Sequence, residues 1–124
     1  MDEGAFKQRT KQLALRVIRL VETLPRKMST DVIGKQVVRC ATSVGANYRS
    51  ACRAKSTADL IAKLSIVEEE ADECLYWLEL LVEAGEIPES KVKSLMVETN
   101  EILAMTVASI KTLRRRNASP KSKI

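Results

Sequence analysis

Apolar residues in this chain recur at steps of three, four or seven along four successive stretches, and almost nothing interrupts them, because 124 residues contain only four Gly and three Pro. A period near 3.6 with so few breakers points to long amphipathic α-helices packed on one another. Phe6, Leu13, Val17, Leu20 and Leu24 define a first helix from about Glu3 to Leu24, which Pro25 stops. Ser29 or Thr30 is placed to cap a second helix carrying Ile33, Val37, Cys40 or Ala41, Val44 and Tyr48 to about Ala54. Gly34 and Gly45 lie inside it; each costs about 1 kcal/mol against Ala, so close approach of a neighbouring helix is expected at both.

Ser56 followed by Asp59 reads as a capping box opening a third helix through Leu60, Leu64, Val67, Ala71, Leu75, Leu78 and Val82, with Gly85 as the residue just past its end. Pro88 stands where a first helical residue belongs, ahead of Val92, Leu95, Ile102, Met105 or Thr106, Val107, Ile110 and Leu113. Links of a few residues force sequential helices to run antiparallel, so the expected fold is all-α, an up-down-up-down four-helix bundle. One domain over residues 1–116 is expected, followed by a basic flexible tail over 117–124. The stretch from Arg114 onward has too little apolar surface to fold by itself.

Charge is sorted by position. Residues 1–55 carry 12 Lys/Arg against 4 Asp/Glu, residues 56–110 carry 3 against 12, and the last fourteen add six cations and no acid, for a net charge of +5. Helices 2 and 3 fold back near Lys55, so facing residues satisfy i + j of about 110. Arg39 is then level with Asp72 and near Glu68, and a structural bridge from Arg39 to Glu68 or Asp72 is expected. Arg49 and Arg53 fall level with Ile61 and Thr57, which offer no acid, so they are candidates for an external anion or another subunit.

Several chemistries lack their parts. The chain has no His, its acids crowd onto one helix, and no metal site or cofactor is expected. Neither a nucleophile with an adjacent base nor a glycine-rich phosphate cradle has a recognisable spacing, so no catalytic residues and no enzyme activity are expected. Cys40, Cys52 and Cys74 match neither a zinc nor a CxxC spacing and are read as reduced core or interface thiols. Four aromatic residues are too few for a base-stacking platform. The opening MDEGAFKQRTKQ lacks the apolar stretch of a secretory signal and no segment reaches the ~18 apolar residues of a span, so a cytoplasmic location without membrane contact is expected. Lys7, Arg9, Lys11, Arg16, Arg19, Arg26 and Lys27 make the first helix basic, and with the chain end they form the strongest binding feature, one suited to phosphate backbones.

The segment from Gln36 to Leu81 resembles a bacterial four-helix-bundle family, the proteins encoded in intervening sequences of 23S ribosomal RNA genes. Arg39, Cys40, Ala41, Ser43, Val44 and Asn47 carry the first half of the likeness, and Ile66, Val67, Glu68, Glu69, Asp72 and Glu73 the second. It covers about residues 6 to 113. Arg49 and Ser50 stand where many members have Glu-Gly, placing this chain with an Asn-Tyr-Arg branch similar to the accessory protein of diversity-generating retroelements. That resemblance implies a homopentamer with basic and acidic faces of adjacent bundles in contact, and partners that include structured RNA or DNA and protein. The expected function is a non-catalytic, oligomeric binding or scaffold protein that contacts nucleic acid or a ribonucleoprotein through Arg16, Arg19, Arg49, Arg53, Arg114, Arg115 and Arg116. The alternative is a protein–protein scaffold with no nucleic-acid role.

Overall fold

The computed structural model describes residues 2–118 as four helices: α1 (Glu3–Glu22), α2 (Met28–Ala51), α3 (Thr57–Glu83) and α4 (Glu89–Ala118). Each packs on its sequence neighbours and α1 closes against α4, which gives the up-down-up-down bundle. α2 and α3 share the most extensive interface, and α1 and α4 the slightest.

The ends follow the chain's own punctuation. Asp2 caps α1 by accepting the Gly4 and Ala5 N–H groups at 2.9 and 3.3 Å. Ser56 caps α3 by accepting the Asp59 N–H at 3.0 Å, while the Asp59 carboxylate reaches back to the Lys55 N–H at 3.1 Å, one residue beyond a standard capping box. At the far end of α3, Gly85 adopts a φ of +75°; its N–H donates to the Val82 carbonyl and that of Glu86 to Leu81, the paired bonds of a Schellman motif.

Three boundaries differ from the sequence reading. α2 begins at Met28 with Lys27 as cap, and Thr30 is not the cap but the third helical residue, its hydroxyl accepting the Lys27 N–H at 3.3 Å. The regular helix ends at Ala51 rather than Ala54, because Arg53 and Ala54 already bond three residues back, to Ser50 and Ala51. α4 begins at Glu89, just after Pro88, and runs through Ala118, so the boundary drawn at residue 116 falls inside its last turn. Of the expected tail, residues 119–124 lie outside the described residues.

One continuous core fills the bundle, with Leu13, Val17, Val37, Val44, Val67, Leu78 and Ile102 fully buried. Phe6 and Tyr48 meet edge to face with ring centres 4.6 Å apart and seal α1 onto α2. The buried hydroxyls of Thr99 and Thr106 donate to carbonyls one turn back at 2.7 and 2.8 Å, so they cost the core little. A smaller cluster of Leu81, Ile87 and Val92 packs beneath the α3–α4 loop. There the largely buried Glu86 reaches across to Lys27 at 2.8 Å and ties the two loops at that end together.

Both glycines of α2 mark close approach, as expected. A Cβ on Gly34 would lie 3.1 Å from Val21 Cγ1, and one on Gly45 3.5 Å from the Thr10 carbonyl oxygen. The second distance is ordinary contact. Gly45→Ala is therefore expected to stabilise the bundle by about 0.5–1 kcal/mol through helix propensity, and Gly34→Ala by distinctly less because Val21 must shift. Urea unfolding of both variants checks the order.

Candidate functional site

Some cations are consumed by the bundle itself. Arg9 grips Glu98 with two bonds, Nε to Oε2 at 2.9 Å and Nη2 to Oε1 at 2.7 Å, and also reaches Glu101 at 3.1 Å. Those bonds hold the Glu98 carboxyl below the usual glutamate range. Arg9 is thus a bolt between α1 and α4 and leaves the basic set attributed to helix 1. Arg26 pairs with partly exposed Asp31 at 3.3 Å and Lys27 with largely buried Glu86, so both already have an acid against them.

Arg39 does bridge α2 to α3, but with Glu70 at 2.9 Å and with Glu73, not with Glu68 or Asp72. The level derived from the hairpin was right; the side was not. Each residue step turns a helix by about 100°, so Glu68 and Asp72 stand on the opposite flank of the buried Val67–Ala71–Cys74 stripe, turned away from α2. Glu73 also accepts the Cys40 thiol and the Trp77 indole N–H, each at 3.1 Å. Those two bonds, the thiol first, pull its carboxyl below the usual range.

Cys40, Glu70 and Glu73 bring three donor atoms within 4.8 Å of one another. The chemistry of this set does not favour a cation, because the Arg39 guanidinium already lies on both carboxylates. Burial also pushes the Cys40 thiol up to about 12, keeping it protonated. Cys74 is pushed up to about 12 by burial as well, whereas Cys52 is only half-buried.

The seven arginines singled out from the sequence occupy three separate places. Arg16 and Arg19 border a recess against α4 with Lys91, where Arg16 donates to the Ser94 hydroxyl at 3.1 Å. Arg114, Arg115 and Arg116 are exposed on the last turns of α4, and Arg116 edges a cleft of about 840 Å³. This cleft opens where α1 begins at Glu3 while α4 continues, and Tyr48, Leu60, Leu64, Met105 and Leu113 line it.

Arg49 and Arg53 lie along a groove of about 430 Å³ between α1 and α2. Across it stand Lys7 and Lys11, which sequence reasoning had counted among the helix 1 bases but not joined to this pair. The signal that joins them is the close approach at Gly45, which fixes the α1–α2 register and brings Lys7 level with Arg49. No acidic residue lines the groove. Among the described residues Lys11, Arg19, Arg49, Arg53 and Arg114 to Arg116 make no ion pair within 4.0 Å. No helix among the described residues is long and apolar enough to cross a membrane.

Comparison with known proteins adds family relations. The pattern of the 23S rRNA-intervening sequence proteins matches residues 3–108. A crystal structure of a protein of unknown function from the S23 ribosomal protein family of Bacteroides thetaiotaomicron superposes with a TM-score of 0.82 at 36% identity, covering 90% of this chain and 99% of its own. No curated protein matches.

Two measurements check the site's chemistry. Under native conditions a thiol reagent is expected to modify Cys52 alone, and all three cysteines once the bundle is denatured. Because Glu98 and Glu73 have folded-state values below the ordinary 4.5, their contribution is fully present above that value and fades as pH falls through the depressed one. Glu98→Gln is expected to destabilise at neutral pH and to flatten the loss of stability between about pH 5 and pH 3, read from denaturant midpoints.

Proposed function

This chain belongs to the 23S rRNA-intervening sequence protein family, and we propose that it is a non-catalytic, oligomeric binding module contacting the phosphate backbone of structured RNA or DNA, alone or within a ribonucleoprotein. The observation that carries this reading is the division of its cations. Arg9, Arg39 and Lys27 are spent on carboxylates of the bundle itself, while Arg19, Arg49, Arg53, Arg114, Arg115 and Arg116 are exposed with no ion pair among the described residues. Unpaired guanidinium groups on a rigid scaffold are suited to phosphate oxygens, and such contacts position without reading sequence.

A second reading, a protein–protein scaffold with no nucleic-acid role, draws support from exposed apolar side chains. Leu15 and Ile18 are 36% and 37% exposed on basic α1, and Ile66 and Tyr76 are 41% and 52% exposed on acidic α3. These residues suit contact between copies, with opposite charges around them. The family resemblance implies five copies.

Light scattering behind size exclusion, at low and high salt and with pools of structured RNA and duplex DNA, separates the two. An oligomer near five subunits that shifts with nucleic acid only at low salt supports the binding module. A discrete oligomer that ignores both pools favours the scaffold, and a monomer removes the assembly. Deleting residues 114–124 is expected to weaken binding to every sequence alike and to lower the salt slope.

A further inference from the structure

Two rows of cations face each other across the α1–α2 groove. Lys7 and Lys11 are one turn apart on α1, and Arg49 and Arg53 are one turn apart on α2. Contact of Thr10 with Gly45 and of Phe6 with Tyr48 sets the register, so Lys7 and Arg49 stand level, Lys11 one turn to one side and Arg53 one turn to the other. At 1.5 Å per residue the four charges extend over about 14 Å, enough to span more than one phosphate of a strand.

The floor between the rows is small: Gly45 and Ala46 on α2, with Thr42 one turn further. Backbone and methyl groups there leave room for a phosphate to approach both rows at once. Among the described residues the only carboxylate paired with any of the four is Glu3, 3.5 Å from Lys7 at the groove's outer end. That pair is exposed and readily exchanged for a phosphate.

Resting on the reading above, we propose that this groove is the principal phosphodiester site of the protein, in which Lys7, Lys11, Arg49 and Arg53 hold neighbouring phosphates of one nucleic-acid strand while Arg114 to Arg116 add contacts outside it. No base is read there. Phe6 and Tyr48 lie beneath the groove but are buried in the core, and Tyr76 and Trp77 belong to α3. Recognition is therefore by backbone charge and shape, alike for all sequences.

The test is fluorescence anisotropy of the full chain, in its native oligomeric state, with a labelled random-sequence duplex between about 50 and about 200 mM salt. Ala46→Glu places a carboxylate on the floor without removing a cation, at an exposed helical position where Glu is tolerated. It is expected to lower affinity by about tenfold or more. Ala46→Gln, of equal bulk, keeps the wild-type salt slope. Ala104→Glu makes the same change in net charge at an exposed position of α4 and leaves affinity within about twofold. Replacing Lys11, Arg49 and Arg53 by Gln reduces the slope by about 0.9 for each cation removed. Circular dichroism and light scattering verify that each variant folds and assembles.

If Ala46→Glu and the triple variant bind like wild type while Gln at Arg114, Arg115 and Arg116 abolishes binding, the groove assignment is overturned and the nucleic-acid reading stands. If wild type binds no duplex or structured RNA at any salt, both fall. Capture by phosphatidylserine vesicles, lost in Ala46→Glu and unaccompanied by duplex binding, also overturns it, in favour of a lipid surface.

Discussion

Cys40 and Ala41 on α2 stand opposite Ala71 and Cys74 on α3, all four fully buried, and side chains this small let the two helices pack closely along the bundle's most extensive interface. Arg39, Glu70 and Glu73 clasp the edge of that seam, with Trp77 and Cys40 adding hydrogen bonds to the Glu73 carboxylate. Partly exposed charges contribute little net stability, but a fork fitted to two carboxylates permits one axial offset and penalises neighbouring ones. The packing draws α2 and α3 together, and the clasp selects the register. α1 packs on α2 and α4 on α3, and the two meet each other to close the bundle.

Closure of the bundle is chemically different. α1 meets α4 over a slight interface where the specific contacts are polar: Arg9 with Glu98 and Glu101, and Arg16 with Ser94. A polar seam is consistent with α1 stopping short of the α4 end, where the large cleft opens between Tyr48, Leu60 and Leu113. It also explains why helix 1 contributes so unevenly to the charged surface. Arg9 and Arg16, toward α4, are engaged, whereas Lys7 and Lys11, on the α2 side, border a groove with no acid in its lining.

Much of this was legible in the residues. Periodicity placed the four helices, Ser56 and Gly85 marked two of their ends, and the two glycines in α2 announced close neighbours because nothing else justified their cost. Arg49 and Arg53 could be picked out because the hairpin register set them against Ile61 and Thr57. What stayed hidden depended on rotation or on long-range contact. The register gives an axial level but no azimuth, so Glu70 and Glu73 could not be told from Glu68 and Asp72. Arg9 and Glu98 are 89 residues apart, and no local pattern joins them. The pairing of Lys7 and Lys11 with Arg49 and Arg53 required the α1–α2 offset, which the geometry of the Thr23–Lys27 link decides. Thr30 looked like a cap because its chemistry suits one, yet the turn after Pro25 starts the helix earlier and uses the same hydroxyl from the third position.

Because α1 and α2 carry an excess of bases while α3 carries an excess of acids, each bundle carries a permanent electric moment directed across its width. Besides the attraction due to its net charge of +5, such a body experiences a torque in any field. It turns its basic side toward a polyanion, and its acidic side toward the basic side of another bundle, before contact is made. Orientation, the slow part of most macromolecular encounters, is thereby settled during approach, within about 10 Å at ordinary ionic strength.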